Sequence, residues 1–474
     1  MKAIAGHWQW LSSFMTKDAD IIIVGAGAAG ISAAVSLARA GMNITILEAR
    51  NRIGGRIFTL HDSVCDPPIE LGAEFIHGLP SETWSLLGSV NARITEVDGD
   101  TWCVQGGKLK TCDFFSEVDR ILKKMDGRKR DQSFADFLKG CRATSKNKRT
   151  FREAKEWATS YVSGFNAADP AIVGVHWLVK GMRAEEKIEG DRAFRAEHGY
   201  ADLINVFDKQ LKESGITVRT STIVERINWS KGQVEIDATG ANGDEKVRAS
   251  GVLVTVPLGV LQARDTELGA IRFNPELPAA KLEAIQNIMM GKVIRVTLRF
   301  SKRFWEDLPK NRKKNTKSMD GMSFLLSHDE WFPTWWTMSP RKLPLLVGWA
   351  PFHCAERLSG QSQSFVVDRA LQALQRLTGV GMRELEGLLE YAYCHDWQSD
   401  PFSRGAYSYG KVGGDGAERK LAKPVQNTLF FAGEATDIGG HNGTVHGAIA
   451  SGKRAAREIA RSAGKNIRQS GFKK

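Results

Sequence analysis

The first chemical signal is a run of six small residues, Gly25-Ala26-Gly27-Ala28-Ala29-Gly30, between a short apolar stretch and an alanine-rich one. It reads as the strand-to-helix turn of a dinucleotide site. Gly25 permits the tight turn, Gly27 keeps no side chain between the backbone and a pyrophosphate, and Gly30 lets helix and strand pack closely. A helix opening at Ala28 and Ala29 turns free N–H groups and the positive end of its dipole toward the phosphates. Glu48 follows Gly30 at the distance where an acid accepts hydrogen bonds from a ribose. GxGxxG alone is a weak signal, and a structural glycine turn is its alternative. The preceding strand, the following helix and the spaced acid make dinucleotide binding the stronger reading. Directly beyond, Arg50 and Arg56 flank Gly54-Gly55. An arginine beside two glycines can bring a bidentate fork close to a pyrophosphate, and a basic surface loop is the plainer alternative.

The elements that must hold these residues read as β-α-β over Asp20–Leu47. Ile21–Val24 suits a buried parallel strand, Ala28–Arg39 a helix stopped by Gly41, and Asn43–Leu47 a second strand. Residues 80 to 195 carry many charges and amphipathic stretches such as Phe114–Lys124 and Phe151–Val162, and predict a largely helical insertion. Residues 200 to 260 return to α/β, with a helix over Ala201–Leu211 and strands around Val218, Val224, Val234 and Val252. Residues 266 to 390 mix strands and helices, with a loop around Asn311–Ser318, and the last 80 or so resume the nucleotide-fold character. The fold class is α/β (α+β), a Rossmann-like cofactor domain interleaved with a mixed helical and β-sheet substrate domain. The expected cofactor domain is 18–80, 196–265 and 391–462, the substrate domain 81–195 and 266–390, and 1–17 and 463–474 are flexible termini.

The chain has 474 residues, 42% hydrophobic and 25% charged, with a formal charge of +12. Such a chain can bury large cores without disulfides or metals. Its six cysteines show no CxxC or zinc spacing, so reduced thiols in a cytoplasmic protein are expected and no metal site is. The first residues lack the apolar core of a signal peptide, and Gly251–Leu261 is too short to span a bilayer. Basic runs such as Arg128-Lys129-Arg130 and Arg312-Lys313-Lys314 read as solvated loops, with no nucleic-acid motif between them.

The stretch Glu48-Ala49-Arg50-Asn51-Arg52-Ile53-Gly54-Gly55-Arg56 resembles the flavin-dependent amine oxidases, a superfamily of monoamine, polyamine and spermine oxidases, histone lysine demethylases and bacterial relatives. The resemblance runs from about Asp18 to Ala460. It includes Leu71–Gly78, Tyr161–Pro170, Val254–Leu261, Phe430–Thr436 and Gly443–Ala448. It implies noncovalent FAD, since the segment where animal monoamine oxidases attach it through cysteine, Asp400–Tyr409, contains none. By the same resemblance Gly72, Ala73 and Glu74 belong to a second FAD loop. Gly433 and Glu434 would meet the ribityl or phosphate groups, Thr444 and Val445 would lie under the pyrimidine, and Val224 would face the adenine. The implied chemistry is oxidation of an amine to an imine that hydrolyses, with oxygen reduced to hydrogen peroxide. The partners are then a small-molecule amine and oxygen, with no nucleic acid and no membrane anchor; oligomeric state is open. Trp397, Phe402, Tyr407 and Tyr409 cluster where relatives place aromatic residues beside the flavin, core packing being the alternative.

Two departures matter. Relatives carry a lysine four residues after a glycine, near flavin N5; here the position after Gly291 is Arg295. Lys292 is three residues earlier, on the opposite face of a strand. Ile294, Val296, Leu298 and Phe300 should form the buried face, leaving Val293, Arg295, Thr297 and Arg299 on the other. Thr444 replaces the second cage tyrosine of monoamine oxidases, and His77 likewise points to the polyamine-type enzymes. Catalytic candidates are therefore Arg295, His77, Trp397 and Tyr407. Glu74, Glu185, Glu186, Asp329 and Glu330 are candidates for drawing in a polycation. Three function classes compete: an amine or polyamine oxidase; another flavin oxidoreductase, such as an L-amino-acid oxidase, whose substrate carboxylate Arg295 could meet, or a desaturase; and a nonenzymatic flavin-bearing protein.

Overall fold

The computed structural model describes residues 17–63, 65–142, 148–309 and 317–467. The apolar run Ala19–Val24 lies at the centre of an eight-stranded sheet. It pairs in parallel with Ile44–Leu47 on one side and with the end of Gly243–Val254 on the other. Thr217–Arg219 extends the parallel set at one edge and Leu429–Phe431 beyond Val252–Val254. Ile21–Val24, Ile44–Leu47 and Leu429–Phe431 are buried throughout, which is why they read as unbroken apolar runs, whereas the edge strand Thr217–Arg219 is partly exposed. The first half of Gly243–Val254 turns antiparallel, pairing with Gln233–Gly240 and through it with Ile223–Ser230. The helices Ala28–Arg39 and Val445–Ser462 pack on one face, so closely that a Cβ on Gly452 would lie 2.2 Å from the Ala29 carbonyl oxygen.

A second, seven-stranded sheet runs in the order Leu389–Asp396, Val293–Phe300, Leu345–Pro351, Thr334–Thr337, Met322–Leu326, Asp100–Gln105, Lys108–Thr111. Ile294, Val296, Leu298 and Phe300 bury one face of the strand Val293–Phe300 in an aromatic-rich core, as their alternation predicts. The other face is not half-exposed: Val293, Arg295 and Thr297 are also buried, because that face closes the cavity described below.

Several expectations need correction. The segment 80–195 is not mainly helical throughout, since Asp100–Gln105 and Lys108–Thr111 form a hairpin at the sheet edge before the helices Phe114–Leu122, Phe134–Gly140, Lys148–Gly164 and Val175–Glu186 begin. That hairpin also overturns six reduced thiols, for it brings the Cα atoms of Cys103 and Cys112 to 5.8 Å and the pair forms a disulfide. Spacing in sequence gave no hint, because the turn, not the separation, sets the distance. Beyond the last helix Lys465 donates to the Gly41 carbonyl and Ile467 packs on the core, so this part of the C-terminal tail is docked. Residues 1–16 and 468–474 of the expected flexible termini, and most of the Asn311–Ser318 loop, lie outside the described residues.

Candidate active site

One cavity of about 1170 Å³ runs from the glycine turn to the second sheet. At its nucleotide end stand Gly25, Gly27, Ala29, Glu48, Arg50 and Val224. Gly25 has φ +107°, and a Cβ on Gly30 would sit 2.0 Å from the Gly25 carbonyl oxygen. Those two glycines are demanded by the protein's own packing. Gly27 is different: a Cβ there would meet no protein atom within 4 Å, so its missing side chain serves the space in front of it. Glu48 is buried and braces the loop by accepting from the Ala26 amide at 2.7 Å and the Arg50 amide at 2.9 Å.

In the middle, two ion pairs join distant segments. Arg50 binds Asp400 at 2.7 Å and lies over the Trp397 and Phe402 rings. Burial alone would raise the Asp400 carboxyl, but His395 and Arg50 outweigh it and bring it down to about 2. Arg56 donates to Glu434 at 3.0 Å and to the Ala406 carbonyl at 2.6 Å. The other Glu434 oxygen accepts from the Ser408 hydroxyl at 2.6 Å and the Gly443 amide at 2.9 Å. Glu434 thus knots three chain segments, and little of its acceptor capacity is left over. Trp397 is buried, donates to the Leu71 carbonyl at 2.8 Å and stands over Gly72, where a Cβ would crowd its ring at 3.2 Å. Gly55, Gly72, Ala73, Gly433, Thr444 and Val445 line the same space. Thr444 caps the helix Val445–Ser462, its hydroxyl accepting from the Gly447 amide, so that helix end points into the cavity.

At the second sheet, Arg295 and Arg195 share one carboxylate. Arg295 contacts Glu74 at 2.6 Å, Arg195 contacts it at 2.6 Å, and the Trp336 indole N–H adds a third donor at 3.1 Å. All three charged groups are about nine-tenths buried or more. Burial alone would raise Glu74; Arg295 and then Arg195 reverse this and hold it below the usual carboxylate range. Two cations on one anion leave a net charge of +1. Arg195 is spent, its other nitrogens donating to Thr337 and Ser339 carbonyls. Arg295 is not: besides Glu74 it reaches only the Gly72 carbonyl at 3.3 Å, and its buried Nε–H has no partner among the described residues. Nearby, burial holds His77 below its usual value. His446 is pushed down to about 3 by burial, with His441 and His77 adding to it. Tyr407 lines the cavity with its hydroxyl donated to the Phe165 carbonyl at 2.7 Å.

The remaining candidates divide. Tyr409 does not line the cavity and packs in the helical core. Asp329 binds Arg376 and caps the Trp331–Phe332 turn, and Glu330 faces Arg357, both away from the cavity. Glu74 is committed to the two arginines, whereas Glu185 and Glu186 do face the cavity. Lys292 is on the surface with Glu356, as strand geometry requires. Sequence reasoning missed Arg195, Trp336, Asp400 and Ser408. Each meets its partner across tens to hundreds of residues, so no local spacing marks it.

The residues fit a flavin dinucleotide on three observations: the open cradle at Gly27, the unspent Nε–H of Arg295, and a continuous cavity joining them. Among the described residues no cysteine lines that cavity, in keeping with noncovalent FAD. No His, Cys, Asp and Glu cluster suited to a metal occurs among them, and no helix is long and apolar enough to cross a membrane.

Comparisons with known proteins agree. The chain is 29% identical over 462 residues to "Lysine-specific histone demethylase 1 homolog 2" of Arabidopsis thaliana, covering 93% of this chain and 58% of that one. It is 29% identical over 471 residues to "Polyamine oxidase 2" of Arabidopsis thaliana, covering 94% and 88%. Among solved structures, putrescine oxidase bound to putrescine superposes with a TM-score of 0.75 at 21% identity over 94% of this chain and 99% of that one. Cyclohexylamine oxidase from Brevibacterium oxydans IH-35A gives 0.73 at 20% identity over 94% and 100%, and with both the likeness is one of fold. A family model described as flavin containing amine oxidoreductase matches residues 28–460, and with the cradle, the cavity and the fold in agreement, the chain belongs to that family.

Proposed function

We propose that the protein is an FAD-dependent amine oxidase that converts a small-molecule amine to an imine, which hydrolyses, while oxygen is reduced to hydrogen peroxide. The carrying observation is the single cavity that leads from the Gly25–Gly30 turn and Glu48, past Arg56, to the chamber walled by Trp397, Tyr407, Arg295 and Trp336. FAD, when bound, supplies the two-electron acceptor. An amine with a pKa of about 10.4 arrives protonated and must react neutral. The +1 excess of Arg195, Glu74 and Arg295 and the surrounding aromatic walls both disfavour an ammonium at that end. Arg50, Arg56, Thr444 and Val445 would hold the cofactor; Trp397 and Tyr407 would flank the amine, and His77, kept neutral by burial, would face it. We further propose two discontinuous domains with the boundaries given above, shifted so that Arg272–Asn274 joins the cofactor domain and Leu389–Asp396 the substrate domain, following the sheets they pair in.

The unspent donors of Arg295 favour one second reading, an oxidase for amino acids whose carboxylate would meet that guanidinium. The purified protein should be yellow. Candidate amines and amino acids are then added anaerobically and bleaching of the flavin is followed. Bleaching by amines supports the first reading, bleaching by amino acids alone the second, and bleaching by neither leaves a flavin-bearing binding protein.

A further inference from the structure

The Cys103–Cys112 disulfide sits behind the wall of the cavity rather than in it. Cys103 lies on the strand Asp100–Gln105, two residues beyond Thr101, which lines the cavity and pairs with Phe324, another lining residue. Cys112 follows the strand Lys108–Thr111 and stands two residues before the helix Phe114–Leu122, of which Phe115, Asp119 and Leu122 line the cavity too. The bond therefore ties a sheet-borne stretch of the wall to a helix-borne one. Phe114, the first residue of that helix, meets the rings of Phe115 at 5.3 Å, Trp157 at 5.5 Å and Phe165 at 6.2 Å. Cys103 is fully buried in the same core.

The hairpin does not need the bond for its register. Its ladder runs from Trp102 with Thr111 to Gln105 with Lys108, and the Cys112 amide donates to the Thr101 carbonyl at 3.0 Å. Cysteines nine apart close a short loop, so the bond takes less entropy from the unfolded chain than a long-range one does. Its effect is local. On the edge strand Lys108, Lys110 and Thr111 are exposed and only Leu109 is partly covered. A segment with so few buried side chains opens at low cost. The covalent tie to buried Cys103 holds the start of the helix against that opening. The pairing is specific to this place, since Cys141, Cys354 and Cys394 are free thiols.

We propose that Cys103–Cys112 is a redox-sensitive strap on the substrate cavity. Closed, it fixes Phe114, Phe115 and Asp119 for productive binding. Opened by a reductant, it loosens that wall and leaves the flavin in place, because Glu48, Arg56 and Glu434 at the cofactor end are braced by other segments. Its link to turnover rests on the amine oxidation proposed above. Opening takes up two electrons: the S–S bond breaks and each sulfur gains a proton. Closing returns them to an oxidant of the peroxide class, two thiols and one hydrogen peroxide giving the disulfide and two waters. The product proposed for the reaction is such an oxidant, so turnover keeps its own strap closed.

The test treats the FAD-loaded wild type and Cys112→Ser with a water-soluble phosphine, which takes the oxygen of one water as it reduces one disulfide to two thiols. Amide hydrogen exchange over residues 108–122 should rise in the reduced wild type and stand equally high in Cys112→Ser with or without the phosphine. Exchange over residues 25–39 and the flavin absorbance should not change. In the reduced wild type kcat/KM for the best amine should fall by about 10–10²-fold, mainly through KM, the scale of a displaced positioning group. One equivalent of hydrogen peroxide should restore it in the wild type and not in Cys112→Ser. Unchanged exchange over 108–122 on reduction overturns the proposal, and so does a reduced wild type as active as the oxidised one. A Cys112→Ser protein that matches the oxidised wild type, or that still responds to the phosphine, overturns it as well. A protein that oxidises no amine in either state overturns instead the amine-oxidase reading, and the exchange measurement still decides the strap.

Discussion

Replacing Arg295 by methionine probes the most unusual feature of the site. The guanidinium gives Glu74 one contact at 2.6 Å and the Gly72 carbonyl a weaker one at 3.3 Å. After the change Glu74 keeps Arg195 at 2.6 Å and the Trp336 indole at 3.1 Å, so no charge is orphaned. The cost should then be that of a lost charged hydrogen bond, about 1.5–3 kcal/mol. Glu74→Gln leaves two buried guanidinium groups facing each other without a counter-ion, and should cost about 3–5 kcal/mol. Urea midpoints of the flavin-loaded proteins near neutral pH, with slopes checked for constancy, give this order directly. Arg295 is also the larger of the charges that hold Glu74 down. A carboxyl depressed in the folded state contributes stability that is present above its unfolded value and lost as pH falls through the folded one. In Arg295→Met one of the two charges that lower Glu74 is gone, so its folded value rises and the acid loss should begin at higher pH. In rapid-mixing assays, if Arg295 is the preorganised donor that the proposed site gives the flavin, its loss should slow flavin reduction or reoxidation by about 10²–10³. Arg299→Met should slow neither, since Arg299 pairs with Glu390 outside the cavity. The reasoning is refuted if Arg295→Met destabilises more than Glu74→Gln, if it leaves both half-reactions unchanged, or if Arg299→Met does equal damage.

The glycines separate function from folding. Gly27→Val should fold but purify without the flavin absorbance, because its side chain enters the open cradle, whereas Gly30→Ala should fail to accumulate as soluble protein, its Cβ being driven 2.0 Å from a backbone oxygen. Glu434→Ala should lose the flavin and lower the melting temperature, since Arg56, Ser408 and Gly443 all lose their acceptor; retention of full yellow colour would refute its role. Burial raises the Glu70 carboxyl to about 8, against the Tyr200 amide and Thr59 hydroxyl that donate to it. The folded chain then holds a proton that the unfolded chain releases, so this group lowers stability as pH rises from about 4.5 to about 8, by roughly 5 kcal/mol at most. Glu70→Gln should therefore gain melting temperature over wild type near pH 8 and not near pH 5, and an equal difference at both would count against it. His77, held below its usual value by burial, should show no NMR titration between pH 7 and 8, and His77→Ala should cut amine turnover.

The cofactor half of this protein was legible because its chemistry is local. The turn Gly25–Gly30, the helix Ala28–Arg39 and the acid at Glu48 lie within one β-α-β unit, where spacing along the chain is spacing in space. The alternation of Ile294, Val296, Leu298 and Phe300 likewise foretold their common face. Resemblance to a family carried the reading as far as a flavin and an amine. Tertiary structure decided the rest. That Arg295 shares Glu74 with Arg195 depends on strands 293–300 and 193–196 converging on one loop. That Asp329 and Glu330 turn away while Glu185 faces the cavity depends on helix packing, as does the bond between Cys103 and Cys112 on a hairpin turn. A sequence carries each side chain's chemistry and its short-range phase on a helix or strand. The sign of the field inside a cavity is a sum over groups tens to hundreds of residues apart, and only the folded chain performs that sum.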